Sequence, residues 1–328
     1  MKALFYTGTE EMEFRDTNGP IAEPGQCIVD LAYCGLCGSD MHAWHGHDAR
    51  RVPPLILGHE PVGIVRDGQY AGKRVAINPM MTCGTCPACT GAAVHLCPER
   101  ALIGLKVPGA FAEAVAINEG NLNVIPDDLA FENAVLAEPL AVCVHTARVG
   151  FARHTQPIAD TEVVVLGGGA IGLLAGFVYR AMGVRKLWLA EPNAHRRAMV
   201  ASVLDTEVYD PTAAGPAPAS VDMICDAVGS GRTRAAASAL ARPGGTIVHV
   251  GLQDTAEGLD TRQLTLQEIT FVGTYCYTPD DFNEALRLLA EGIVNGAGWT
   301  EIRPLTEGAQ SFRDVDQGTA PPKIILAP

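Results

Sequence analysis

The chain has 328 residues, which is enough for about two domains and a substantial buried core. Hydrophobic residues make up 48% and charged residues 19%, and this composition excludes an intrinsically disordered chain. The formal net charge of −13 argues against a nucleic-acid partner, because phosphate binding requires a basic surface.

The sequence carries no sign of a targeting or membrane segment. Its N-terminus is acidic and lacks the apolar core of a signal peptide. No apolar run reaches the roughly 18 residues that a membrane span requires. Ten cysteines in such a chain favour a reducing compartment, so we expect a cytoplasmic protein with no membrane partner.

The first 145 residues are rich in glycine and proline and contain short apolar alternations. Such segments are typical of β-strands joined by turns, and three of them stand out: Cys27–Ala32, Pro61–Val65 and Arg74–Ile77. We therefore predict a β-rich domain over residues 1–145. One further helix, Asp280–Ala290, and a closing strand, Lys323–Leu326, are expected to return to it, so the domain also includes residues 275–328.

Four cysteines occur within fifteen residues of this domain: Cys83, Cys86, Cys89 and Cys97. Each Cys-x2-Cys step brings two thiolates close enough to share one tetrahedral ion, and the last arm is short enough to return a fourth sulfur. Glycines and prolines among them predict a turning loop rather than a helix or strand. The spacing predicts a structural zinc ion; reduced thiols or two disulfides are the alternatives. A fully ligated ion has no open position for a substrate.

From Glu162 the pattern changes to strands alternating with helices. Glu162–Leu166 is a continuous β-branched run, typical of a buried parallel strand. The series of predicted strands continues downstream: Lys186–Ala190, Val221–Asp226, Thr246–Val250 and Ile269–Gly273. The alternation predicts an α/β fold with a doubly wound parallel sheet, a Rossmann domain over residues 146–274.

A glycine-rich turn joins the first of these strands to its helix. Gly167, Gly169 and Gly172 match the G-x-G-x-x-G pattern in the strand–turn–helix context that it requires, with Ala170 and Ile171 opening the helix. The helix N-terminus is then expected to face the phosphates of a dinucleotide.

Glu191 follows the next strand, where a carboxylate binds ribose hydroxyls and repels a 2′-phosphate. This favours NAD over NADP, although Arg196 and Arg197 could partly offset the charge.

Other short motifs lie in the β-rich domain: Cys37-Gly-Ser39-Asp40-Met-His42, Gly58-His59-Glu60 and Ala137-Glu138-Pro139. Together with the cysteine loop and the glycine-rich turn, in this order, they resemble the zinc-dependent medium-chain dehydrogenase/reductase family over nearly the whole chain. The resemblance implies a GroES-like catalytic domain beside the Rossmann domain. It also implies a homodimer or homotetramer, two zinc ions per chain and NAD.

The resemblance assigns roles to individual residues. Cys37 and His59 match ligands of the catalytic zinc. Glu138 matches the third ligand in the branch of sorbitol, threonine and butanediol dehydrogenases, and Glu60 is implied to approach the metal directly or by exchange with water. Asp40 resembles the carboxylate that fixes the tautomer of the ligand histidine.

The same resemblance implies a proton relay and a substrate pocket. Ser39 would bond the substrate oxygen and pass its proton, through the nicotinamide ribose, to His42, an imidazole suited to the solvent end of a relay. Zinc with an open position lowers the pKa of a bound oxygen acid. Pocket positions are implied for Trp44 and Phe111, each with a core aromatic as the alternative, and for Tyr275, where several polyol dehydrogenases carry arginine.

The sequence therefore predicts an enzyme, an NAD-dependent zinc dehydrogenase that oxidises a secondary alcohol. The expected substrates are small molecules: a polyol, a sugar-derived alcohol or a vicinal diol. An amino alcohol such as threonine is the second candidate. A non-catalytic dinucleotide-binding protein on the same scaffold is the alternative from another class.

Overall fold

The computed structural model describes residues 1–254 and 256–328 and divides into two compact units. The first unit comprises Met1–Glu138, Ala285–Gly296 and Thr300–Pro328. The second comprises Pro139–Glu284 and Ala297–Trp299. The chain thus leaves the first unit twice: it forms most of the second unit as one continuous stretch, returns, and contributes the short segment Ala297–Trp299 before it returns again.

The described residues form strands and helices along the whole chain. The strands are β1 (Lys2–Gly8), β2 (Glu11–Asp16), β3 (Gln26–Gly35), β4 (Leu55–Ile56), β5 (Glu60–Val65), β6 (Arg74–Ile77), β7 (Met80–Met81), β8 (Ala101–Leu102), β9 (Ala114–Asn118), β10 (Leu122–Val124), β11 (Glu162–Leu166), β12 (Lys186–Ala190), β13 (Glu207–Tyr209), β14 (Val221–Asp226), β15 (Ala241–His249), β16 (Thr270–Gly273), β17 (Thr300–Pro304) and β18 (Lys323–Ala327).

The α-helices are α1 (Gly38–Trp44), α2 (Pro87–Thr90), α3 (Phe131–Ala134), α4 (Ala137–Phe151), α5 (Ala170–Ala181), α6 (Ala194–Val203), α7 (Gly231–Leu240), α8 (Thr261–Leu266), α9 (Pro279–Ala290) and α10 (Gly308–Asp316). Among the residues that the structure describes, no helix has both the length and the apolar character needed to cross a bilayer.

The first unit is built on strands that pair mainly antiparallel. Within the described residues its largest sheet has seven strands, in the order β10-β6-β5-β3-β18-β17, with β9 also paired to β3. β1, β2 and β4 form a second sheet, and β7 pairs with β8. The three strands predicted here lie within β3, β5 and β6. One apolar core, which includes Leu4, Val29 and Phe111, fills the space between these elements.

The second unit contains a parallel sheet. Its described strands follow the order β13-β12-β11-β14-β15-β16, and every neighbouring pair is parallel. Val163, Val164 and Val165 of β11 are all fully buried. Because successive side chains of a strand point to opposite faces, the sheet is covered on both sides. The predicted doubly wound α/β fold is therefore confirmed.

Candidate metal centres and dinucleotide site

Three predicted ligands lie together in the first unit. Cys37, His59 and Glu60 each place one ligand atom within 4.8 Å of the others. Cys37 follows the end of β3, His59 immediately precedes β5, and Glu60 is the first residue of β5. The two strands pair antiparallel with Gly35 opposite Glu60. Strand pairing thus brings sulfur, imidazole and carboxylate to one end of the sheet.

The donor set of this group fits zinc. Thiolate, imidazole and carboxylate are the ligands that zinc takes in catalytic sites. His59 and Glu60 are buried, and Glu60 Oε1 has no hydrogen-bond partner among the described residues. An unsatisfied buried carboxylate oxygen is costly, and a bound cation would remove that cost. The residues are therefore suited to hold the metal that the sequence predicts.

Asp40 lies behind the imidazole of this group. Its Oδ1 atom is 3.5 Å from His59 Nδ1, and its Oδ2 atom accepts a hydrogen bond of 3.1 Å from the Cys37 backbone N–H. Burial lowers the pKa of His59, but the negative charges of Asp40 and Cys37 outweigh it and raise the pKa well above its ordinary value. The imidazole thus lies in a strongly negative environment, and Asp40 faces Nδ1 while Nε2 remains available to a metal.

Glu60 also has a cationic partner that the sequence interpretation did not include. Its carboxylate forms an ion pair with Lys323 of β18, and both side chains are almost completely buried. Lys323 Nζ donates a further hydrogen bond of 3.0 Å to the Leu36 carbonyl. Burial lowers the pKa of Lys323, but Glu60, Cys37 and Glu138 outweigh it and raise the pKa. Gly35 makes room for the pair, because a Cβ there would collide with the Glu60 carboxylate.

The position of Glu138, the predicted third zinc ligand, differs from that of Cys37 and His59. It is buried in the first turn of α4, and its charge contributes to the raised pKa of Lys323. Among the described residues, the group whose ligand atoms lie within 4.8 Å of one another contains Glu60 rather than Glu138. The structure therefore gathers Cys37 and His59 as predicted, with Glu60 as the adjacent carboxylate.

The four clustered cysteines also converge. Cys83, Cys86, Cys89 and Cys97 each place a sulfur within 4.8 Å of the others, and Cys83 Sγ is 3.6 Å from Cys97 Sγ. The backbone N–H groups of Thr85 and Cys86 lower the pKa of Cys83 to about 6. The loop contains two helical turns, α2, which begins at Pro87, and a 3-10 turn at Val94–Leu96, so the predicted loop is more ordered than the sequence indicated. Four sulfurs at this spacing suit a structural zinc ion.

Ser39 and His42, the predicted relay residues, lie on α1 behind Cys37. Ser39 Oγ is 3.4 Å from His59 Nε2, so the hydroxyl is beside the predicted ligand atom. Arg51, which the sequence analysis did not single out, donates to Ser39 Oγ at 3.2 Å. His42 is half-buried, and burial together with the nearby His47 lowers its pKa. A lowered pKa favours release of a proton from this imidazole.

Two of the three motif glycines in the glycine-rich turn, Gly167 and Gly172, have a conformational or steric reason. Gly167 has a φ of +102°, which side chains other than glycine rarely adopt. A Cβ at Gly172 would collide with the Gly167 carbonyl, whereas a Cβ at Gly169 would have no neighbour within 4 Å. Gly169 is also the N-cap of α5, so free backbone N–H groups of the helix start at an uncrowded position. This geometry suits the binding of a phosphate group.

Glu191 is tied to this turn. It is buried, its Oε2 atom accepts a hydrogen bond of 2.9 Å from the Gly168 N–H, and its Oε1 atom accepts one of 2.8 Å from the Asn193 N–H. Arg196 Nη1 lies 3.6 Å from Glu191 Oε2. The carboxylate is therefore held rigidly at the end of β12, next to the turn.

The three predicted pocket residues have different surroundings. Trp44 and Phe111 are buried in the core of the first unit, and each ring packs against Phe312, at centroid distances of 6.2 and 6.1 Å. Such packing favours the core alternative for both. Tyr275 is half-buried and belongs to the second unit.

Two protein-family models and several known dehydrogenases match this chain. An alcohol dehydrogenase GroES-like domain matches residues 23–127, and a zinc-binding dehydrogenase domain matches residues 170–291. D-arabitol-phosphate dehydrogenase of Enterococcus avium is 30% identical over 329 residues, covering 95% of this chain and 92% of the relative. The 2-dehydro-3-deoxy-L-galactonate 5-dehydrogenase of Pseudoalteromonas atlantica (strain T6c / ATCC BAA-1087) is 28% identical, covering 96% and 95%.

A solved structure agrees with these matches. The protein from Sinorhizobium meliloti 1021, described as a zinc-binding dehydrogenase and bound to NADP, is 28% identical. It superposes with a TM-score of 0.88 and covers 100% of this chain and 99% of that chain. The chain belongs to the zinc-dependent medium-chain dehydrogenase/reductase family. It is an oxidoreductase of alcohols that uses zinc and a nicotinamide dinucleotide.

Proposed function

We propose that this enzyme oxidises a secondary alcohol of a polyol, a sugar-derived alcohol or a vicinal diol and transfers the hydride to NAD. The main support is the group of Cys37, His59 and Glu60, of which His59 and Glu60 are buried, with Ser39 beside it. The two relatives are named as dehydrogenases of D-arabitol phosphate and of a deoxygalactonate derivative, both sugar-derived alcohols. Residues 1–145 and 275–328 would supply the catalytic domain, and residues 146–274 the NAD-binding domain.

Each residue near the metal group has a distinct task in this proposal. Cys37, His59 and one of the two glutamates, Glu60 or Glu138, would hold a zinc ion. When bound, that ion supplies a Lewis acid that lowers the pKa of an alcohol. Ser39 Oγ would accept the hydroxyl proton, because it lies 3.4 Å from Nε2 of the ligand imidazole. His42 receives the proton at the end of the relay and releases it to water.

The preference for NAD is attributed to Glu191. Its fixed carboxylate accepts hydrogen bonds from ribose hydroxyls and would repel a 2′-phosphate at the same place. NAD, when bound, would accept the hydride on its nicotinamide ring. Gly167, Gly169, Ala170, Ile171 and Gly172 would bind its pyrophosphate, and Arg196 would lie beside the ribose.

Replacing Glu191 with serine tests this preference. The substitution removes the repulsion and releases Arg196, so the ratio of kcat/KM with NADP to that with NAD is expected to rise at least about tenfold. Glu207→Ser, which removes an exposed carboxylate from the neighbouring strand β13, serves as the control and should leave the ratio unchanged. An unchanged ratio in Glu191→Ser would reject the assignment.

A panel of polyols, diols and amino alcohols, assayed for NADH formation, tests the substrate class. Oxidation of a polyol or diol supports the proposal, whereas preferential oxidation of threonine favours the amino-alcohol candidate.

Metal analysis separates both enzyme candidates from a non-catalytic protein. We expect two zinc ions per chain, and one ion confined to the cysteine loop would favour the non-catalytic alternative. The cytoplasmic location and a homodimer or homotetramer complete the proposal.

A further inference from the structure

Arg51 is a buried arginine that binds Ser39 twice. Its side chain is only 3% exposed. Nη1 donates to the Ser39 carbonyl at 2.7 Å, and Nη2 donates to Ser39 Oγ at 3.2 Å. Nε donates to the Gly104 carbonyl at 3.0 Å, and Nη1 donates also to Asp48 Oδ2 at 2.9 Å. These bonds occupy four of the five N–H groups of the guanidinium.

The charge of this guanidinium is balanced locally. Asp48 forms an ion pair with Nη1, and Asp40 Oδ1 lies 3.9 Å from Nη2. Both carboxylates are largely buried with the arginine. Because a buried charge is costly unless it is paired, an arginine in this position needs these partners. Their fixed geometry in turn holds the guanidinium fork against Ser39.

The hydrogen-bonding capacity of a serine hydroxyl is small. It has one proton to donate and two lone pairs to accept with. The bond from Arg51 occupies one lone pair. One acceptor position and one donor are left once a metal takes His59 Nε2, which lies 3.4 Å from Ser39 Oγ. These are the two bonds that a group passing a proton onward requires.

We propose that Arg51 is a positioning residue. It holds the Ser39 hydroxyl in one orientation, in which the free lone pair of Oγ accepts the proton of the alcohol. This inference rests on the proposed dehydrogenase function. When the alcohol O–H bond breaks, Ser39 Oγ gains that proton and gives its own proton to the next group of the relay. The serine stays neutral and the guanidinium is unchanged; NAD, when bound, would take the hydride.

A double-mutant cycle tests the proposal. Arg51→Lys keeps the positive charge between Asp40 and Asp48 but loses the fork that contacts Ser39. We expect kcat to fall about 10-fold to 100-fold with an unchanged substrate KM and zinc content. In a Ser39→Ala background the same change should cost less than about twofold, because the group through which Arg51 acts is gone. An equal loss in both backgrounds, or no loss in either, would overturn the proposal.

Arg50 provides the matched control. It precedes Arg51 and binds the same Asp48, but its side chain is 59% exposed, whereas that of Arg51 is buried. Arg50→Lys should therefore keep kcat within about twofold of the parent enzyme. Should Arg51→Lys not fold, Arg51→Gln enters the same cycle.

A second measurement needs no turnover. High-resolution crystal structures of the zinc-loaded chain should show Ser39 in one rotamer in the parent and in Arg50→Lys, and in more than one rotamer in Arg51→Lys. A single unchanged rotamer in Arg51→Lys would overturn the positioning role. Failure of the parent to oxidise any alcohol would instead contradict the proposed function, and the rotamer comparison would still decide the role of Arg51.

Discussion

Replacing Cys37 with alanine is expected to reduce turnover at least about a thousandfold while leaving the first unit folded. The sulfur caps α1, since it accepts a hydrogen bond of 3.5 Å from the Ser39 N–H, but its main partner would be the metal. Removing one of three protein ligands removes an ion that contributes several kcal/mol to the stabilisation of the transition state. Steady-state kinetics and zinc content per chain measure the effect.

Cys27→Ala is the control for this substitution. Cys27 is a buried thiol of the same unit, and its nearest hydrogen-bonding partner is the Ile117 carbonyl at 3.8 Å. The same change there should retain turnover and two zinc ions. Normal turnover in Cys37→Ala would reject the catalytic metal site altogether.

Cys89→Ala is expected to destabilise the enzyme before it alters the chemistry. Cys83, Cys86, Cys89 and Cys97 lie in a segment with little apolar core of its own, so a bound ion would supply most of its folding free energy. Loss of one sulfur ligand should lower the free energy of unfolding by at least about 2 kcal/mol. This corresponds to a fall in melting temperature of roughly 4–8 °C.

Calorimetry and metal analysis test this second prediction together. One zinc ion should be lost while the residual enzyme keeps the kcat of the parent at low temperature. Addition of a chelator to the parent should produce the same destabilisation. A melting temperature equal to that of the parent would argue against a structural role for the cysteine loop.

The parallel sheet of the second unit was predictable because its strands carry their own signal. Glu162–Leu166 and Val221–Asp226 are mainly apolar segments that are buried on both faces, and the structure has β11 and β14 at the same residues. β13, by contrast, has only three residues, Glu207–Tyr209, and no distinctive pattern. It becomes a strand because it pairs with β12, a contact that local sequence does not encode.

In the site, the motif residues were predictable and their partners were not. Cys37, His59 and the four loop cysteines occur in recognisable spacings. Lys323 begins an apolar strand, and nothing in its neighbourhood indicates that it is buried against Glu60. Arg51 lies among other charged residues in a loop and is indistinguishable there from its exposed neighbour Arg50. Only tertiary contacts determine which of these charged side chains is buried.

Aromatic residues near the motifs show the opposite limitation. Trp44 and Phe111 occur where a pocket is implied, but both rings pack on Phe312 of α10, a helix far along the chain. Sequence proximity to a ligand does not distinguish a wall of a binding site from the core behind it. Whether such a side chain lines the site or fills the core depends on how the interior is packed.

The bond from Lys323 Nζ to the Leu36 carbonyl joins positions 287 residues apart. At about 5–20 residues per second, a ribosome needs roughly 15–60 s to synthesise that interval. For most of this period Cys37 and His59 already exist in the nascent chain, but Lys323, which pairs with Glu60, does not. Pro139–Glu284 emerges as one uninterrupted stretch in the meantime. We therefore expect the site in the first unit to be completed, and its metal to be retained, only after Lys323 has been synthesised.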